Sequence, residues 1–204
     1  MKNKPLKPES MISQNEAERA IYIDFEGFED ASPSLLGILV GESFEQVVFD
    51  NRLSLAAKAK RLPSETLQEC ISRLQTRSTA ESRLIIAYSQ HEKNVIRNFA
   101  NVDLTGSYRD ARMILKRWKN SCHRHAPISG WGLKDFFTFM NYPRGTYLGE
   151  RKTTSRLKAV ADMLEKKGSY ELLTPVVKAK WTKLLEHNKI DCMGMRDLIL
   201  HAAK

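Results

Sequence analysis

A chain of 204 residues with 42% hydrophobic and 28% charged residues holds enough apolar material for one core and is short for two. No apolar run of about 18 residues occurs, and none of signal-peptide length follows the Met-Lys-Asn-Lys-Pro start, so no membrane partner is expected and the cytoplasm is the expected location. A net charge of +9 favours polyanions, because basic side chains release counterions from phosphates, although a solvated basic surface with no partner has the same composition. Cys70, Cys122 and Cys192 form an odd, widely spaced set without a Cys-x-x-Cys pair and read as free thiols.

Residues 1–19 are polar, contain Pro5 and Pro8, and read as a disordered tail ahead of one domain over 20–204. Ala20 to Glu26 alternates apolar and acidic residues with the period of a strand, closed by Gly27. Leu35–Val40 and Phe44–Phe49 are strand-like runs joined by Gly41-Glu-Ser, which suits an antiparallel hairpin. After Pro63 the period becomes helical, with Leu67, Cys70, Ile71 and Leu74 on one stripe. Arg83 to Tyr88 is a nearly continuous apolar run, as in a strand buried on both faces, and Ser89 with Glu92 makes a capping box for the next helix. Further helices are expected over Asp110–Ser121, Leu133–Met140, Ser155–Lys167 and from about Pro175 onward. Three strands, a helix, a fourth strand and more helices predict an α/β fold, a mixed sheet flanked by helices.

Asp24 and Glu26 lie two apart on a strand, so both side chains leave one face. Ile21, Ile23 and Phe25 mark that strand as central, and two buried carboxylates repel unless a cation such as Mg²⁺ lies between them. A half-covered antiparallel sheet with a wet polar face produces the same alternation. Near the other end, His187 and Asp191 stand at i and i+4 and share a helical face, beside a stripe of Leu184, Ile190, Met195 and Leu198. There one group could hold a metal while the other handles a proton; an ordinary exposed helical face has the same spacing.

Taken in order, Tyr22-Ile-Asp-Phe-Glu-Gly27, Ala87-Tyr-Ser-Gln-His-Glu-Lys-Asn-Val95 and His187-Asn-Lys-Ile-Asp191 resemble the three motifs of the DEDD superfamily of 3′–5′ exonucleases, closest to the predicted ribonuclease H-like nuclease domains of RecB-related proteins. Ile128 to Phe137 with Asn141-Tyr-Pro-Arg144 resembles the segment of that group whose Ser-Leu-Lys stretch opens a helix before the last motif. The resemblance spans about Ala20 to Ala203. It implies a ribonuclease H-like fold and a phosphodiesterase with two Mg²⁺ or Mn²⁺ ions: Asp24 bridging both, Glu26 and Asp191 completing one, Glu92 holding the other. Two such ions stabilise the attacking and leaving oxygens of an in-line displacement. The sequence departs from the pattern twice, with Glu92 where the superfamily has Asp and His187 where the nearest class has Tyr; Glu still reaches a metal and His is a competent general base.

Lys116, Arg117, Lys119, Arg124, Arg144, Arg151, Lys152 and Arg156 interleave with Trp118, Trp131, Tyr142 and Tyr147, a composition that suits single-stranded DNA or RNA, with Arg144, Arg151 and Lys152 as the expected phosphate contacts. Solvated helices with core aromatics read the same way, most of all for Trp118 and Phe136. Cys122, His123 and His125 lack the second pair a structural zinc site needs. The expected function is therefore a metal-dependent nuclease, probed against two alternatives: a catalytically degenerate nucleic-acid-binding module on the same fold, and an interaction module whose acidic pair merely faces water.

Overall fold

The computed structural model describes residues 10–28, 33–143, 145 and 152–203. Five strands form one mixed sheet in the order β3-β2-β1-β4-β5. These are β1 (Ile21–Gly27), β2 (Pro33–Val40), β3 (Ser43–Val48), β4 (Ile85–Ala87) and β5 (Tyr108–Asp110). The first three pair antiparallel as a meander, and β4 and β5 add in parallel on the far side of β1. The β2–β3 turn needs a left-handed residue and has Gly41 there, at φ 57°. With helices on both faces this is an α/β fold compatible with the ribonuclease H-like arrangement.

The period of two along β1 divides the core. Ile21 and Ile23, with Ile38, Val47 and Ile85, pack under Ile71 and Leu74 of α3 (Leu67–Ala80). Tyr22, Leu39 and Ile86 face the opposite way, toward Leu115 of α5 (Ala111–Cys122), Phe136 of α6 (Leu133–Phe139) and Met195 of α8 (Pro175–Ala202). A third apolar cluster joins α2 (Ser54–Ala59), α7 (Thr153–Lys167) and the first half of α8 around the fully buried Trp181. Asp24 and Glu26 share the Tyr22 parity, so they point at α8.

Every strand and helix expected from periodicity is present, with ends shifted by a few residues. One strand and two α-helices were not anticipated. The supposed tail ends in α1 (Gln14–Arg19), started by a Ser13–Glu16 capping box. Its Ala17 is buried and its carbonyl accepts a hydrogen bond from Tyr22 Oη at 2.7 Å, so residues 14–19 belong to the folded body and not to a tail. β5 has only three residues, the last of which, Asp110, caps α5, too few to show a period. α2 is six residues long and buries only alanines, Ala56 and Ala57. No helix among the described residues is long and apolar enough to cross a membrane.

Candidate functional site

β1, α4 (Gln90–Val95) and α8 each bring acidic side chains to the same place. Glu26 and Asp191 are buried, and His187 stands between them: its Nε2 lies 3.9 Å from Glu26 Oε1 and 3.4 Å from Asp191 Oδ2. Asp24 keeps part of its surface open while its carboxyl is enclosed by protein atoms. The expected i, i+4 pair of α8 therefore does face the β1 carboxylates, and the reading of Asp24 and Glu26 as a wet sheet face is not what the fold builds.

Electrostatics report the same crowding. Burial, then the negative charges of Glu26, Asp191 and Glu92, hold the Asp24 carboxyl well above the usual carboxylate range; a hydrogen bond from Asn188 works the other way. Glu26 is pushed up to about 8, first by burial and then by Asp191, against a hydrogen bond with Thr153 and the positive charges of Lys134 and Arg156. Burial likewise raises Glu92. Cys192, buried one residue beyond Asp191, is held as a neutral thiol by burial and by the same three acids, Asp24, Asp191 and Glu26.

Glu92 occupies the first turn of α4, and its Oε2 accepts from Ser89 N and Ser89 Oγ, both at 2.9 Å, as the capping box predicts. That loop is braced on two sides. Tyr108 Oη donates to Ser89 O, and Tyr88 Oη donates to Trp131 O at 2.7 Å. Trp131 precedes α6, whose Asp135 accepts from Gly132 N at 2.7 Å and so places Lys134 in the helix's first turn.

Hard oxygen donors crowded enough to resist ionisation are the chemistry that a divalent cation relieves, and the donor set fits Mg²⁺ or Mn²⁺. As placed, the described side chains approach as neighbours and do not close three donors around one point. Coordination at roughly 2.0–2.6 Å would require the carboxylates to draw closer to one point than they stand.

Two residues that sequence reasoning passed over complete the site. Asn188, fully buried, donates from Nδ2 to Asp24 O and Asp24 Oδ2, both at 2.9 Å. Its Oδ1 accepts from Gln46 Nε2 at 2.9 Å. Asn188 sits inside the third motif and its identity was visible there; nothing in the pattern of β3 points to Gln46.

Of the expected nucleic-acid contacts, Lys152 is exposed directly before α7, while Arg144 and Arg151 lie outside the described residues. The recess that reaches Glu26 has a volume of about 190 Å³ and is also lined by Gly27, Phe28, His91, Thr153 and Thr154. A cavity of about 680 Å³ is not at the carboxylates but shares Phe28 and Thr154 with that recess and continues to Arg52, Leu55 and Lys158. Trp118 packs edge-on to His123, Phe139 and His201, away from the acids, as a core-edge aromatic would. Comparison with protein-family models, with curated proteins and with solved structures returned no match.

Proposed function

We propose that this chain is a metal-dependent nuclease that hydrolyses phosphodiester bonds in DNA or RNA, working from a strand's 3′ end. The carrying observation is the convergence of Asp24, Glu26, Glu92, His187 and Asp191, from three elements far apart in sequence, into one crowded site on the α8 side of the central strand. A soluble scaffold gains nothing from packing four carboxylates together, since each raises its neighbours' ionisation cost.

Asp24, Glu26 and Asp191 would hold a divalent ion, with Glu92 contributing to a second. Bound there, such ions polarise the scissile phosphate and offset the charge that develops on it. The chain's own residues do the rest. Glu26 and Asp191 flank His187 and hold its Nε2 at the carboxylate cluster. With those carboxylates turned to a cation, neutral His187 in the tautomer that leaves Nε2 without a proton would take the proton of the attacking water there. Lys134 and Arg156, whose charges reach Glu26, oppose the negative charge of the incoming phosphate and substrate backbone. The net charge of +9 brings the polyanion to the surface, and the cavity beyond Phe28 has room for an unpaired nucleotide next to the bond being cut.

One observation favours a second reading, a nucleic-acid-binding module with a degenerate site: Glu92 is engaged by its own helix cap. End-labelled DNA and RNA, single- and double-stranded, incubated with Mg²⁺ or Mn²⁺, separate the two. A nuclease yields metal-dependent shortening from one end; retention of every substrate intact, together with binding in a filter or gel-shift assay, selects the module.

A further inference from the structure

Asp24, Gly37 and Gln46 lie opposite one another on β1, β2 and β3, in a row across the sheet. The middle position has no side chain. A Cβ on Gly37 would stand 2.3 Å from Asn188 Oδ1, so the glycine leaves a notch that the Asn188 amide fills from α8. The notch lets one side chain touch both ends of the row, Gln46 on one side and Asp24 on the other.

The direction of this chain of hydrogen bonds is set from its far end. The carbonyl of Leu185 can only accept, and it takes one proton of the Gln46 amide at 3.0 Å. The other proton of the same NH₂ goes to Asn188, which must therefore offer its oxygen. That leaves the Asn188 NH₂ facing Asp24, with one proton for the main-chain carbonyl and one for Oδ2. Were the amide reversed, two oxygens would confront each other in a buried site, at a cost of a lost hydrogen bond and a repulsion.

We infer that Asn188 is a positioning residue, oriented by Gln46 and admitted by Gly37, that commits Asp24 Oδ2 to the protein and leaves Oδ1 as the oxygen presented to a divalent cation. This rests on the nuclease reading for the identity of the ligand, but the network itself does not. Outer partners of metal-binding groups are worth about 10–100-fold in affinity, and Asn188 should fall in that range.

The test uses Mn²⁺ as the probe, titrated calorimetrically into the full chain at pH 8, with exchange of the Asn188 side-chain amide protons followed by NMR in the same preparations. Gln46→Glu keeps the shape and replaces a donor by an acceptor, so it turns the Asn188 amide around and weakens Mn²⁺ by about tenfold or more. Gln46→Met keeps the volume without forcing the reversal and weakens Mn²⁺ by no more than about threefold, far less than an outer-partner loss. Gly37→Ala closes the notch and resembles Asn188→Leu, both in the range of about 10–100-fold. A merely structural role would lower the melting temperature of both Gln46 variants and leave their Mn²⁺ affinity alike, and that result overturns the inference. Should the wild-type chain take up no Mn²⁺, the nuclease reading fails, and the amide protons decide the network alone. Protection in wild type and Gln46→Met but not in Gln46→Glu upholds it, and equal exchange in all three refutes it.

Discussion

Removing divalent ions and raising the pH should destabilise this protein, against the usual behaviour of carboxylates. Glu26 titrates at about 8 in the folded chain, against 4.5 for the free side chain. Below about pH 4.5 both states keep the proton and the folded state loses nothing. Between about 4.5 and 8 the unfolded chain releases a proton that the folded chain retains, so the unfolding free energy falls by about 1.4 kcal/mol per pH unit. Carried across the whole interval this amounts to about 5 kcal/mol, an upper bound because Asp24 and Asp191 share the strain with Glu26. For a domain of this size, where each kcal/mol moves Tm by about 2–4 °C, the expected drop is on the order of 10–20 °C. Thermal unfolding followed by circular dichroism in EDTA, at unit steps from pH 5 to pH 9, reads it directly. Mg²⁺ or Mn²⁺ should restore Tm, and more so at pH 9 than at pH 5, because the ion binds the ionised carboxylates. Glu26→Gln should flatten the profile in EDTA, which separates Glu26 from every other titrating group. A Tm that is level or rises toward pH 9 in EDTA, or an unchanged slope in Glu26→Gln, would refute the reasoning.

Asp24→Asn should abolish metal-dependent cleavage while the circular dichroism spectrum and melting cooperativity stay those of wild type, since charge is removed with little change of volume; an active variant excludes Asp24 as a ligand. His187→Ala should lower the cleavage rate by about 10²–10⁴-fold with Mn²⁺ uptake largely kept, the usual share of a positioned acid–base group, and equal rates would remove His187 from the chemistry. Glu92→Gln retains the helix cap through its amide oxygen, so any loss of rate reports on a metal; a loss partly recovered at higher Mn²⁺ supports the ligand role, and no loss assigns Glu92 to the cap alone. Affinity for nucleic acid should fall steeply between low and moderate salt, since each neutralised phosphate releases counterions, whereas a flat response measured by fluorescence anisotropy would leave the +9 as a solvated surface.

What could be read from the sequence was whatever repeats along it. The period of two in Ile21 to Glu26 gave the parity that points Asp24 and Glu26 away from Ile21 and Ile23, and the i, i+4 spacing of His187 and Asp191 gave their common face. Short elements carry no period, which is why β5 and α2 were missed. The helix α1 was missed for a different reason: the Ser13–Glu16 box was present, but its one core residue, Ala17, is too small to mark an apolar stripe. The hydrogen bonds of Gln46 and Asn188 depend on which residues face each other across strands, and strand register is set by packing and turn geometry, which no single strand displays. Gly37 in mid-strand was the one outward sign, since glycine inside a strand marks a close approach.

The span of chain between Asp24 and Asn188, 164 residues, has a consequence during synthesis. β1 leaves the ribosome before α8, with its two acids in place but with neither His187 nor Asp191 yet made. At about 5–20 residues per second, roughly 10–30 s pass before α8 follows. Through that interval a nascent chain has only part of the acidic cluster, so the proposed metal site would be incomplete while the chain is surrounded by RNA, its own message included. On the nuclease reading, cutting would begin only once α8 has been made and has packed against β1, and a product broken off before α8 would lack it.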